Sequence, residues 1–213
     1  MLANPGPGRL IAFEGRVGSG KSTQVHLFSH RLSASRPVYV TCEPTDGPIG
    51  VQIRMVLEHR IQVSAATLAA LFAADRADHV WRTEAGIGAR LRQGTDVITD
   101  RYYLSSFAYQ GMSVDWSWIK QMHARCLRPE LICFVDVPVD ICLARIQKGR
   151  GGKADLFENQ SALSQARQSH LLAIDRLRRA GDRIEIVDGN ADPETVHERI
   201  WGIAQKVLGH DVR

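Results

Sequence analysis

Along the chain, short apolar runs alternate with longer amphipathic stretches, and the alternation predicts strand and helix in turn. Arg9 to Glu14 (RLIAFE) reads as a first strand that breaks into glycines, followed by a helix from about Lys21 to Leu32. PVYVT (37–41) is a second strand, after which the loop EPTDGP leads into a helix starting at Ile49. Ser64 can cap a long helix over 64–93, because Ala65, Leu68, Ala69, Leu71, Phe72, Ala73, Val80 and Ile87 keep one apolar face at spacings of three and four. DVIT (96–99) is a third strand, and LICFVDV (131–137) a fourth, continuously apolar as in strands buried on both faces. Pro138 opens another helix, RIEIVD (183–188) gives a fifth strand, and a last helix runs near Pro193 to Leu208. The expectation is an α/β domain with a parallel sheet of about five strands, helices on both faces, and ligands at the carboxyl ends of the strands.

Length and composition narrow this further. A chain of 213 residues with 44% hydrophobic content suits one well-buried domain, 1–213. The net charge of +4 comes from 27 basic and 23 acidic residues mixed along the chain, which suits an anionic substrate as well as it suits nucleic acid. The start, MLANPGPGR, has neither a cationic n-region with an apolar core nor a twin-arginine signal, so residues 1–8 are expected to be a flexible tail. No apolar run approaches a membrane span, and a soluble cytoplasmic protein is expected. Cys42, Cys126, Cys133 and Cys142 form no CxxC pair and no zinc spacing, and are expected to be buried free thiols. His26 and His30 stand four apart on a helix, but no third metal ligand accompanies them.

The strongest chemistry lies between the first strand and helix. Gly15-Arg16-Val17-Gly18-Ser19-Gly20-Lys21-Ser22 fits GxxxxGK[ST] without a mismatch, in the strand–loop–helix context that motif requires. Its glycines let backbone N–H groups turn inward on phosphates, Lys21 can reach the β and γ phosphates, and Ser22 can offer its hydroxyl to Mg²⁺. A nucleoside triphosphate and a P-loop NTPase fold follow. The guanine-reading Asn-Lys-x-Asp of GTPases is absent, and the chain is short for a helicase or motor.

Several further stretches resemble the thymidylate kinase family in order and spacing. They are FEG with STQ around the loop, TCEPTDGPIG (41–50), LFAADRADH (71–79), DRYYLSSFAYQG (100–111), FVDVPVDICLARI (134–146) and GRGGKADLFEN (149–159). The resemblance implies ATP-dependent phosphorylation of dTMP with Mg²⁺, nucleotides as partners with no nucleic acid or membrane, and a homodimer. ATP would be held by Gly15, Arg16, Val17, Gly18, Ser19, Gly20, Lys21, Ser22, Thr23 and Arg145. For dTMP it implies Glu43 and Pro44, Phe72 stacked on thymine, Arg76 on the base or phosphate, and Arg101 on the 5′-phosphate. Ser105 and Ser106 would contact the base, and Tyr109 would close against C2′. Ser22, Glu43 and Asp100 are the metal candidates, and a lid over about 147–159 would bring Arg150 and Lys153 to join Lys21 and Arg101 in catalysis. A monophosphate already presents an ionised oxygen, so positioning and charge neutralisation matter more than a general base.

Three positions depart from the family pattern. Val17 stands where a carboxylate usually meets the acceptor sugar, Cys42 replaces the Arg of TREP, and Leu156 replaces an Arg of the lid. Arg16 and Lys153 are candidates to replace a missing cation. The departures leave two alternatives: a deoxynucleoside kinase with Glu43 as general base on a 5′-hydroxyl, or a nucleotide-binding homologue with weakened catalysis.

Overall fold

A computed structural model describes residues 1–150 and 160–209, with the side chains of 149 and 150 left aside. Five parallel strands, β1 (Leu10–Glu14), β2 (Val38–Cys42), β3 (Asp96–Asp100), β4 (Leu131–Asp136) and β5 (Ile184–Asp188), lie in the order β2-β3-β1-β4-β5. Chain order reverses at β1, so the switch point opens beside the glycines that follow it. Alternation along β1 explains the layering. Leu10 and Ala12 join a core with Val97, Phe107 and Ile174, whereas Ile11 and Phe13 face the opposite core with Phe28, Ile98 and Trp201.

Helices α1 (Lys21–Leu32) and α9 (Pro193–Leu208) contribute to the second core. The first is built with α3 (Ala65–Trp81), α4 (Ile87–Arg92), α5 (Tyr103–Tyr109), α6 (Trp116–Met122) and α8 (Gln160–Arg179), while α2 (Pro48–Leu57) packs on α3 and α7 (Val139–Arg150) on α8. The helix starts follow from local chemistry. Ser64 accepts from Thr67 N at α3, Asp192 accepts from Thr195 N ahead of Pro193 at α9, and Pro48 occupies the first turn of α2. No described helix is long and apolar enough to cross a membrane.

The structure corrects three expectations. The single helix over 64–93 is two, α3 and α4, because the chain turns extended at Arg82 and Gly86 packs so closely that a Cβ there would lie 2.6 Å from the Arg82 carbonyl oxygen. Cys42 is exposed, while the other three thiols are buried. The first eight residues are docked: Leu2 bonds the Cys126 oxygen and the Arg128 N–H, and Asn4 Nδ2 donates to Gly8 O at 2.6 Å and to Glu130 Oε1 at 2.8 Å. Glu130 Oε2 in turn accepts from Leu10 N, so the segment braces the start of β1. Deleting residues 1–6 is expected to cost about 2 kcal/mol of stability, the scale of two or three lost partly buried hydrogen bonds, read as a lower urea midpoint.

Candidate active site

A cleft of about 540 Å³ lies over the carboxyl ends of β1, β2 and β3. One wall is the 15–22 loop. Gly18 and Gly20 have φ of +78° and +84°, which a side chain would resist, and a Cβ at Gly18 would meet the Cys142 carbonyl oxygen at 2.5 Å. One close approach and two left-handed glycines therefore shape the loop around the N-terminus of α1, where inward N–H groups and the helix dipole favour phosphate. Val17, Thr23 and Arg145 line the same wall; Arg145 reaches the Ser19 oxygen at 3.4 Å and braces the loop from α7. Gly15 and Ser19 sit beneath it, away from the lining.

Lys21 and Ser22 meet Asp100 at the tip of β3. Lys21 Nζ is 3.3 Å from Asp100 Oδ1, and the Ser22 hydroxyl donates to Asp100 Oδ2. Burial and the neighbouring Arg101 push the Lys21 ammonium down to about 8, against the pull of Asp100. Asp100 Oδ1 has that ammonium but no hydrogen bond. A hydroxyl and an under-satisfied carboxylate facing a phosphate-binding loop suit a hard, mostly hydrated dication better than a closed protein cage does. Among the described residues no cluster of three or more His, Cys, Asp or Glu could hold a metal.

The acceptor side is built by α3 and α5. Phe72, Pro44, Ser105, Ser106 and Tyr109 line the cleft with Arg101, whose guanidinium lies 5.6 Å over the Tyr109 ring. Tyr109 is backed edge-on by His170 of α8, centroids 5.0 Å apart. Arg54 and Gln110, which the sequence reading passed over, also line the cleft. Arg54 donates to Pro44 O at 2.8 Å, to Thr45 O at 2.5 Å and to Asp46 Oδ1 at 2.9 Å, pinning the 44–46 loop. Its signal was an arginine one turn and a half into the helix after EPTDGPIG.

Three predicted residues have their charged groups engaged by other protein groups, although Arg16 and Glu43 contribute to the cleft lining. Arg16 is fully buried, its guanidinium bonded to Asp136 Oδ1 at 3.1 Å, the Val137 oxygen, and the Leu163 oxygen at 3.5 Å. It cannot replace a missing cation in the cleft, because a buried guanidinium stays with its carboxylate. Arg76 is also buried beneath the cleft wall: Nη2 is 2.6 Å from Glu43 Oε2, and Nη1 donates to Ser106 Oγ at 2.8 Å. His123, pushed down to about 2 by burial and by Arg76, stays neutral and accepts from Arg76 Nη1, 3.2 Å from its Nε2. Glu43 has both oxygens engaged, Oε2 by Arg76 and Oε1 by His79 Nδ1 at 3.0 Å. Burial would raise this carboxyl, but Arg76 and then His79 hold it below its ordinary value. It is therefore a structural anion, unsuited to metal binding or to general-base work on a hydroxyl. Lys153 and Leu156 lie outside the described residues, and of Arg150 only the backbone, at the end of α7, is described.

Val17 and Cys42 sit in the cleft where the resemblance expects charge. The thymidylate kinase family model matches residues 13–200. The chain belongs to the thymidylate kinase family. It is 40% identical over 221 aligned positions to the thymidylate kinase of Afipia carboxidovorans, covering 97% of this chain and 92% of that protein. Identity to the thymidylate kinase of Thermomicrobium roseum is 34%, covering 93% and 95%. The thymidylate kinase structure from Candida albicans superposes with a TM-score of 0.77 at 25% identity, over 97% of this chain and 94% of that one. The P-loop NTPase fold and a phosphotransferase assignment follow from these relatives.

Proposed function

We propose that Lys21, Ser22, Asp100 and Arg101, with Mg²⁺, carry out the phosphorylation of dTMP by ATP that family membership assigns to this chain. The observation that carries this is convergence: these four side chains meet in one cleft that Phe72 and Tyr109 also line. The 15–22 backbone and Lys21 hold the β and γ phosphates of ATP, and Arg101 clamps the acceptor's 5′-phosphate with a fork that matches its oxygens. Phe72 stacks on thymine, Ser105 and Ser106 lie beside the base, and Tyr109 walls off the sugar at C2′. Ser22 and Asp100 would hold Mg²⁺, which would supply charge neutralisation and orientation of the donor. The acceptor's oxygen is ionised before reaction, so no residue need remove a proton; Lys21 and Arg101 neutralise charge and hold donor and acceptor in line. Arg150 and Lys153 remain the lid cations that the resemblance supplies. The same kinship supports a cytoplasmic homodimer.

The test is to supply Mg-ATP with dTMP, thymidine, dUMP or dCMP in turn and follow ADP release. dTMP is expected to be the best acceptor; product from thymidine alone would overturn the reading, and product from none would favour a binding protein. Within that assay Arg101→Ala is expected to raise KM for dTMP about a hundredfold, the scale of a lost charge-assisted fork, and to leave KM for ATP within about threefold. Equal losses on both substrates would remove Arg101 from the acceptor's phosphate.

A further inference from the structure

We infer that Glu14, the last residue of β1, is a positioning residue that sets Arg101 toward the acceptor through Ser105. The side chain is fully buried, and its carboxylate lies under the start of α5. Oε1 accepts from the backbone N–H of Tyr102 at 2.9 Å and of Ser105 at 3.1 Å, and Oε2 accepts from the Ser105 hydroxyl at 2.6 Å. An anion from a neighbouring strand thus caps α5 where no side chain of the helix's own cap does so.

The consequence lies in the direction of the hydroxyl. A carboxylate can only accept, so the Ser105 proton points at Glu14 and the Ser105 oxygen is left to accept from Arg101 Nη1, 3.0 Å away. Glu14 therefore fixes the polarity of a two-step chain that ends on the guanidinium. Arg101 itself has a φ of +75°, an unusual conformation for a residue with a side chain, and it is pinned by Arg101 N donating to Phe13 O at 2.9 Å and Thr99 Oγ1 donating to Arg101 O at 2.8 Å. Backbone and side chain are both aimed from the ends of β1 and β3. Burial raises the Glu14 carboxyl, while Ser105, Arg101 and the two N–H groups favour its ionised form.

The inference rests on Arg101 holding the acceptor's phosphate, and the experiment separates the two. Glu14→Gln, Ser105→Ala, Ser105→Thr and Arg101→Ala are assayed for KM of dTMP and of ATP and for kcat. Glutamine keeps the shape but presents a donor to a donor, so E14Q is expected to raise KM for dTMP about tenfold with KM for ATP within about twofold. S105A is expected to match it, S105T to recover most of the loss, and the double variant to be no worse than the poorer single one. Equal shifts in both KM values, additive losses, or an unchanged KM for dTMP in E14Q would overturn the inference. If E14Q fails to fold, Glu14→Asp, which keeps the charge but withdraws it from Ser105, carries the same comparison. A selective loss in R101A without one in E14Q or S105A removes Glu14 alone, whereas an unselective R101A removes the reading of Arg101 and the inference with it.

Discussion

Lys21→Ala is expected to lower kcat by about a thousandfold while leaving the fold intact. Under the proposed function the lysine is the cation of a loop whose other phosphate contacts would be backbone N–H groups, and loss of one preorganised charge at a transferring phosphoryl group falls at the upper end of the range for a single electrostatic stabiliser. Its removal leaves Asp100 Oδ1 without its ammonium, but Asp100 keeps the Ser22 hydroxyl and is partly exposed, so the stability cost is small. A pH profile gives an independent check. Burial and Arg101 bring the Lys21 ammonium to about 8, so kcat/KM for ATP, which reports the free enzyme, is expected to fall on the alkaline side near that value. Below it the ammonium is present for the phosphates; above it the site loses the cation. Wild type showing no alkaline limb, or the alanine variant keeping kcat within about tenfold, would remove Lys21 from the chemistry.

The donor half of this site was legible because its logic is local. A run of apolar residues, glycines and a lysine within a dozen positions carry both the strand–loop–helix geometry and the chemistry, and β1 and α1 lie within a residue or two of where the pattern put them. The acceptor half is assembled from residues far apart in the chain, and there the direction of a side chain is set by partners the sequence does not order. Arg16 reads as a loop cation until Asp136, 120 positions away, turns it into the interior. Glu14 passed as part of a motif because its partners Tyr102 and Ser105 adjoin it only once β1 pairs with β3, Phe13 against Asp100. Helix α8 was missed for a different reason. Its buried stripe, Leu163, Ala166, His170, Ala173, Ile174 and Leu177, has the right spacing, but small and polar residues dilute it in a sequence rich in Gln, Ser and Arg.

Glu43→Ala is expected to destabilise the protein by about 3–5 kcal/mol, the scale of a buried ion pair broken on one side. Arg76 is 1% exposed, and without Glu43 its guanidinium would keep Ser106, neutral His123 and the Tyr102 ring, none of which carries the missing charge. His79 would also lose the acceptor of its Nδ1 proton while Nε2 still faces Thr41 Oγ1 at 2.7 Å. Urea unfolding measures the loss, and the Glu43→Ala/Arg76→Met double variant is expected to be more stable than Glu43→Ala alone because no uncompensated charge remains. The pH dependence has a definite sign. The folded Glu43 carboxyl lies below its ordinary 4.5, so its contribution is fully present above that value and is lost as pH falls through the folded one. Wild type and variant are therefore expected to converge in acid. A gap that persists there, or a double variant no better than the single, would mean that the cost comes from packing rather than from charge. Kinetics then separate support from chemistry: Arg76 holds the Ser106 hydroxyl, and α3 carries both Arg76 and Phe72, so a destabilised but folded Glu43→Ala should lose affinity for dTMP more than kcat. A general base would show the reverse, a collapse of kcat at unchanged KM.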